Sequence, residues 1–503
     1  MALSGNLGDV LEARPPGCDP LIIELEANGA ERPMSTRRFR DSVDALARGL
    51  GRRGLAPGAR IAIIAENSAA YLIAYMAIMR AGYVAVPVNY KLPGEVVAHI
   101  LTDSDSRLAF VDGPRRALAG RLPAIELGSG QDGWGGVLDP GPHEPVAPES
   151  GSVAMVLYTS GSTGLPKGVP LTHAGFGWAT RGYDDLRVFF QNQSGIIAAP
   201  FFHMNGLFSA KLLMRLGGTI ILMPRFNAAE YVRLLHGHRC PAILGIPTML
   251  ALIARETQAV AQADFSAVRF ILIGSAPSSE NLLAEIKRLF PNAAILNGWG
   301  TTESGPLCFG PHPKGLPRPL QSIGYPRADV SVRLVGGAHP DQGVLQVRTP
   351  ALMTGYLNRP EESAKRLKDG WYDTGDVMRR DADGFYYFVG REDDMFVCGG
   401  ENIYPAEVEK ILEGHPGVAQ AAVVPVSDHV KGQIPVAFVV RASDGPLTEE
   451  AMKKFALERG PAYAHPRHVI FIDQLPLAGT NKIDRKRLAQ EAADHVAARS
   501  AKP

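Results

Sequence analysis

Cysteine is scarce: Cys18, Cys240, Cys308 and Cys398 are the only four in 503 residues, and no two form a CxxC pair. That argues against a disulfide framework and against a zinc knuckle, and it fits a reducing cytoplasm. An excess of charge of one sign is missing too. Lys and Arg number 52 against 51 Asp and Glu, a net charge of +1, so no whole-protein field draws nucleic acid or an anionic membrane. Long hydrophobic runs are absent. The longest, 69–79, stops at Arg80, well short of the roughly 20 residues a membrane span needs. The opening MALSGNLGDVLEARPP holds acids and no apolar centre, so it does not read as a signal peptide.

What is present is an ordinary globular composition, 46% hydrophobic and 20% charged, which excludes a disordered chain or a fibre. The length suggests about two to four domains. Glycine and proline are abundant, at 54 and 39, as in a chain that turns often and presents bare backbone. Ser35-Thr36 opens a helix whose Phe39, Val43, Leu46 and Leu50 share one face. RIAII (60–64) reads as a buried strand, 69–80 as a helix and VAVPV (84–88) as the next strand. The alternation recurs at IIAAP (196–200), TIILM (219–223), AILGI (242–246), FILIG (270–274) and AAILNG (293–298), predicting parallel sheets covered by helices. After about residue 320 short alternating strands such as VSVRL (330–334) and GVLQV (343–347) predict an antiparallel or barrel-like subdomain. Residues 393–503 predict an α+β lobe, with helices at 405–413 and 448–458 and strands at 418–424, 434–440 and 468–472.

Two glycine motifs are decoys. GLGRRG (49–54) matches GxGxxG but ends a helix instead of opening one, so it reads as a C-cap. GSTGLPKG (161–168) has Pro166 where a Walker loop needs glycine and Gly168 where it needs a hydroxyl. The wider segment YTSGSTGLPKG (158–168) still has the chemistry of a phosphate loop. It follows a strand and precedes a helix expected from Thr172. Gly161 and Gly164 let backbone N–H groups approach an anion, Thr159, Ser160, Ser162 and Thr163 add hydroxyls, and Lys167 adds charge.

That segment resembles the phosphate-loop signature of the adenylate-forming superfamily, which includes acyl- and aryl-CoA synthetases. Further motifs of that superfamily follow in order: NGWGTTE (297–303), WYDTGD (371–376), GREDDM (390–395), GGENIYP (399–405), and Pro476 through Asn481 and Lys482. The resemblance spans nearly the whole chain. It implies an α/β fold with a large N-terminal domain, 1–392, made of two parallel-type α/β subdomains and a small β-barrel-like one. A small mobile α+β C-terminal domain, 393–503, would follow.

The resemblance also implies roles. Glu303 would bind Mg²⁺, which favours carboxylate and phosphate oxygens, and Thr302 would contact phosphate. Trp299, where the family usually has tyrosine, would lie on the adenine. Asn297, Gly298, Gly300 and Thr301 complete that motif, and Ser275, Ala276 and Pro277 border adenine and substrate. Asp376 would accept the ribose diol with help from Arg391. Lys482 would reach the substrate carboxylate and the α-phosphate, stabilising charge on phosphorus. Asn481 precedes it where glycine is common. His203, with Met204 beside it, would line the acyl pocket together with Gly298 and Gly300, and Asp393 would be the hinge. Gly399, Gly400 and Glu401 would line a pantetheine tunnel, with Cys398 inert beside them. Lys91, Tyr463 and His465 match coenzyme A nucleotide contacts only loosely.

The implied activity is an AMP-forming carboxylic acid:CoA ligase using ATP, Mg²⁺ and coenzyme A. The expected pocket segments, PFFHMNG, GIPTM, GSAPSS and NGWGTT, are largely apolar and hold no arginine. This favours an aryl or a medium-chain fatty acid over a dicarboxylate, and of these two the expected substrate is the aryl acid, benzoate- or hydroxycinnamate-like. A freestanding enzyme loading a carrier protein, a luciferase-like oxygenase, a peptide-synthetase adenylation domain and a non-catalytic nucleotide binder are the rivals. Monomer and homodimer are both open.

Overall fold

The computed structural model describes residues 5–128, 133–159, 165–276, 278–442, 447–477 and 483–500. The predicted alternation folds as sheets with helices on them. One sheet has six strands, in spatial order Ala124–Glu126, Ser106–Val111, Arg60–Ile64, Val84–Pro87, Val153–Thr159 and Lys167–Thr172. The first five run parallel. Their apolar residues run on without alternation because both faces are covered. Helix Ala69–Arg80, capped by Ser68, is buried at every position but Ala70. Arg80, at its end, is held by Asp44 Oδ1 at 2.7 Å and Asp9 Oδ1 at 2.5 Å.

The sixth strand corrects an expectation. The phosphate-loop segment does not lead directly into a helix. Lys167–Thr172 first returns antiparallel along Val153–Thr159, from Thr159 opposite Lys167 to Val153 opposite Thr172. Pro170 is tolerated because this is an edge strand. The helix starts one residue later, as His173–Arg181, with Thr172 Oγ1 accepting from Gly175 N at 3.0 Å.

A second sheet orders Glu31–Met34, Ile22–Leu25, Thr219–Leu222 and Ser194–Ile197, and a third pairs Ala242–Gly245, Phe270–Ile273 and Ala294–Asn297 in parallel. Helix Thr36–Gly51 buries Phe39, Val43, Leu46 and Leu50 as predicted. Gly49 has a packing role: a Cβ there would lie 1.6 Å from the carbonyl oxygen of Val137. A five-stranded antiparallel sheet follows, with Trp371–Arg380 pairing both Gln342–Arg348 and Tyr386–Arg391.

The C-terminal residues build their own core, from Phe396 to Ala492. It is laid on strands Val418–Asp428, Gly432–Arg441 and His468–Ile472. Helices Pro405–Glu413 and Glu449–Arg459 match expectation within a residue, whereas the last helix, Arg485–Ser500, was not anticipated. Its charged sequence buries Leu488 and Ala492, too few apolar positions to show a period. Among the described residues no helix is long and apolar enough to cross a membrane.

Candidate active site

Three parallel strands deliver two of the predicted loops to one edge. Phe270–Ile273 ends in Gly274, and Ala294–Asn297 ends in Gly298, whose N–H donates to Ile273 O at 2.6 Å. Loops beyond the carboxyl ends of adjacent parallel strands are where α/β sheets bind ligands. Ser275, a non-glycine residue, sits in the left-handed region at φ 69, a conformation that costs energy and concentrates at ligand-binding loops. Beside it, Ala276 is exposed. Gly300 is required by space, since a Cβ there would meet Gly305 O and Leu307 N at 2.6 Å. Thr301 closes the turn by exchanging hydrogen bonds with Ser304 at 3.0 and 3.2 Å, which leaves half-buried Thr302 at its tip. Asn297 is fixed through Nδ2 to Leu320 O at 2.7 Å, and its own carbonyl accepts from Arg318. Burial lowers the Arg318 pKa to about 10.

The antiparallel sheet supplies Asp376 and Arg391 as register partners. Asp376 is 7% exposed. Its Oδ1 accepts from Arg391 Nη1 at 2.6 Å, and its Oδ2 accepts from Trp299 Nε1 at 2.8 Å. Burial would lower the Arg391 pKa, but the adjacent Asp376 outweighs it and pushes it up. Trp299 is itself buried, with Phe309 edge-on at 5.6 Å.

Two tyrosines accompany Glu303. Tyr356 OH donates to Glu303 Oε1 at 3.1 Å. Tyr372 is buried in the same region beside Tyr356, and burial and then the charge of Glu303 push its pKa well up. At the other end Lys167 lies 5.3 Å over the Tyr356 ring and ion-pairs with Glu362. Lys167, Glu303, Asp376, Arg391 and Trp299 are thereby brought into one contiguous cluster, and Thr159 stands across the hairpin from Lys167. Tyr356, Glu362, Arg318 and the place of Tyr372 were not anticipated, because they lie outside the motifs or, for Tyr372, within one without an assigned role. Ser160, Gly161, Ser162, Thr163, Gly164, Pro277 and Lys482 lie outside the described residues.

His203 begins helix Met204–Leu216, with its ring 4.7 Å from Phe202. Phe202 packs edge-on against Tyr90, over which the Arg115 guanidinium lies at 4.1 Å. Met204 is half-buried at the first turn. Lys91, next to Tyr90, is exposed. His465 is engaged by Ala462 O at 2.6 Å and by Arg467, and Tyr463 is exposed. Lys91 and Tyr463 have free surface, and His465 is held within its own turn. Gly399, Gly400 and Glu401 form an exposed turn, with nothing within 4 Å of a Cβ placed on either glycine. Asp393 is tied by Arg366 at 3.1 Å and Arg391 at 3.2 Å. Cys398 is buried, as are the other three cysteines.

Glu303 suits a magnesium ion bound jointly with a phosphate. It is a nearly buried carboxylate oriented by Tyr356. Among the described residues no group of three or more His, Cys, Asp or Glu forms a cage of protein ligands. Mg²⁺ is commonly held in this way, by one or two carboxylates with substrate phosphates and water.

The AMP-binding enzyme model matches residues 18–357, and the AMP-binding enzyme C-terminal domain model matches 407–482. The chain is 35% identical over 454 residues to a feruloyl-CoA synthase of Amycolatopsis sp, covering 87% of this chain and 90% of that one. It is 33% identical over 482 residues to the fatty acid–[acyl-carrier-protein] ligase ScoC of Streptomyces coeruleorubidus, covering 91% of each. Its fold matches ATP-bound MatB from Rhodopseudomonas palustris with a TM-score of 0.85 at 25% identity, covering 98% of this chain and 99% of that one. The apo form of MatB matches at 0.77, with the same identity and coverage.

Proposed function

The chain belongs to the AMP-binding enzyme family, and from that premise we propose that it is an AMP-forming acid–thiol ligase acting on an aryl acid of the hydroxycinnamate type. The observation that carries the reading is the buried Asp376 carboxylate, held between Arg391 and Trp299. A ribose diol has a fixed acceptor there, and a triphosphate leaving it would run toward Glu303 and Lys167. The similarity to a feruloyl-CoA synthase and the apolar segments around His203 support an aryl acid.

The chemistry proceeds in two steps. The substrate carboxylate attacks the α-phosphorus of ATP, forming the acyl–O–P bond of acyl-AMP as the α–β phosphoanhydride breaks and pyrophosphate leaves. Lys482 is assigned to the charge that builds on phosphorus. Thr302 and the 159–167 segment donate to the phosphates, and Glu303 would hold the Mg²⁺. That ion, when bound, offsets phosphate charge. Lys167 must exchange Glu362 for phosphate. In the second step the thiol of coenzyme A gives its proton to water, its sulfur bonds to the acyl carbon, and the acyl C–O bond to phosphate breaks as AMP departs. We place the domain boundary at 392/393 and assign Asp393 as the hinge that brings the 399–401 turn inward and takes Lys482 out. The better overlay on the ATP-bound than on the apo form of MatB supports a present arrangement suited to the first step.

A second reading keeps the first step and replaces coenzyme A by the phosphopantetheine thiol of a carrier protein. One observation favours it, the similarity to ScoC. Pyrophosphate release across a panel of aryl, fatty and dicarboxylic acids tests the main reading: hydroxycinnamates should give the highest kcat/KM, and a fatty-acid optimum would overturn the aryl assignment. Offering coenzyme A and a pantetheinylated carrier in parallel to the loaded enzyme then separates the two acceptors.

A further inference from the structure

The C-terminal lobe has a hydrophobic core of its own, and its helix Pro405–Glu413 meets the large lobe mainly through polar groups. Lys410 Nζ lies 2.5 Å from Gln321 Oε1 and 3.2 Å from Glu280 Oε1. Asn281 Nδ2 donates to the carbonyl of Glu413, the last residue of the helix. The Glu413 carboxyl takes the Ala421 N–H at 3.0 Å and faces Ser279. Near the hinge, Tyr404 adds an apolar contact with the patch of Val344, Val377 and Val389. Polar interfaces between separately cored units make relative motion the default.

The place of these contacts matters. Ser279 caps helix Glu280–Leu289, and Glu280 and Asn281 are its first two residues. The helix follows directly on the loop that holds Ser275 in its left-handed conformation, at the edge of the proposed nucleotide site. The carbonyl end of one helix meets the N–H end of the other, an arrangement their dipoles favour. Glu280 and Lys410 are each more than half exposed, so their pair is weak, as befits a contact that must open in every turnover.

We propose that Lys410, set between Glu280 and Gln321, and Asn281, on the Glu413 carbonyl, form a reversible latch that holds the C-terminal lobe in the adenylate-forming arrangement. Lys410 and Glu280 are positioning residues for the first step alone. The proposal rests on the two-step reading above. It goes beyond it by naming what the lobe must release before the second step.

The test uses the full-length enzyme in four forms: parent, Lys410→Glu, Glu280→Lys and the double charge swap. Val188 and Val430 are 80% and 76% exposed, and the four native cysteines are buried, so Val188→Cys and Val430→Cys carry a fluorophore pair reporting lobe orientation. Each single reversal should lower ATP–pyrophosphate exchange about threefold to tenfold, the scale of an exposed charge pair turned repulsive. It should leave acyl-CoA formation from supplied acyl-AMP unchanged or faster, and shift the energy transfer measured with ATP bound. The double swap should restore exchange and energy transfer. Equal loss of both half-reactions, no rescue by the swap, or unchanged energy transfer overturns the latch. If energy transfer shifts and is rescued while the parent catalyses no exchange with any acid, the latch stands and the ligase reading falls.

Discussion

Trp299 donates its indole Nε1–H to Asp376 Oδ2 at 2.8 Å, while Arg391 holds Oδ1 of the same carboxylate at 2.6 Å. Both oxygens of a nearly buried acid are thus aimed before any ligand arrives, and a tyrosine, with its hydroxyl at the ring tip, places its donor elsewhere. Trp299→Phe keeps an apolar ring and removes the donor. Hydrogen bonds to charged groups contribute about 1.5–3 kcal/mol, so KM for ATP should rise about tenfold or more with a smaller change in kcat. Steady-state kinetics at saturating acid decide it, and an unchanged KM would show that Arg391 alone fixes Asp376.

Tyr356 OH stands on Glu303 Oε1 at 3.1 Å, and its phenol is held neutral by burial first and by Glu303 second. Removing the hydroxyl leaves the carboxylate in place but lets it turn. Groups that orient a metal ligand are typically worth about 10- to 100-fold in metal affinity or activity. Tyr356→Phe should therefore raise the Mg²⁺ concentration giving half-maximal pyrophosphate release by about tenfold, and Glu303→Gln by more. A Mg²⁺ titration in which Tyr356→Phe matches the parent would detach Tyr356 from the metal.

Legibility in the sequence followed how local each feature is. The fold class and the helix over 69–80 follow from short-range periodicity, and the joint role of Asp376 and Arg391 follows from the family resemblance of the motifs that hold them. Tyr356 and Glu362 could not be read, because each reaches its partner, Glu303 or Lys167, only after sheets far apart in sequence have packed together. The edge strand Lys167–Thr172 was masked by the glycines and Pro170, which lower strand propensity. The docking of Lys410 on Glu280 depends on how one lobe lies on another, which no local pattern encodes.

Lys482 lies outside the described residues, so its assignment is tested by function. A cation placed on developing phosphoryl charge is needed only when acyl-AMP forms. Lys482→Ala should lower that step about a hundredfold or more and leave acyl-CoA formation from supplied acyl-AMP much less affected. Rapid-quench measurement of each half-reaction separates them, and equal losses would assign the lysine to folding or to lobe docking.

Lys211 is fully buried on helix Met204–Leu216 and has no carboxylate partner among the described residues. Its Nζ donates to Tyr75 OH at 2.6 Å and lies 4.5 and 4.4 Å over the rings of Tyr75 and Phe176. Burial drives its pKa well below that of a free lysine. The folded state therefore binds fewer protons than the unfolded state, and stability rises with pH from the folded pKa up to the unfolded value near 10.5. His173 faces the same group, with its pKa lowered to about 4 by burial and then by Lys211. Its contribution is complete above the ordinary histidine range, so between about pH 7.5 and 9 the difference in slope between the parent and a variant lacking only the amine belongs to the lysine, while the buried Cys240 and Cys308 thiols act equally in both. Lys211→Met keeps the volume and leaves Tyr75 OH its contact with Met155 Sδ at 2.9 Å. By analogy with replacing buried ionic groups by apolar ones, the variant should be more stable by about 1–4 kcal/mol near pH 7.5. That advantage should shrink as pH rises, because the parent gains the lysine's increment of stability and the variant has none to gain. Chemical denaturation at three pH values measures both, and an advantage that is constant with pH would mean that the lysine keeps its proton in the folded protein, held by the two rings.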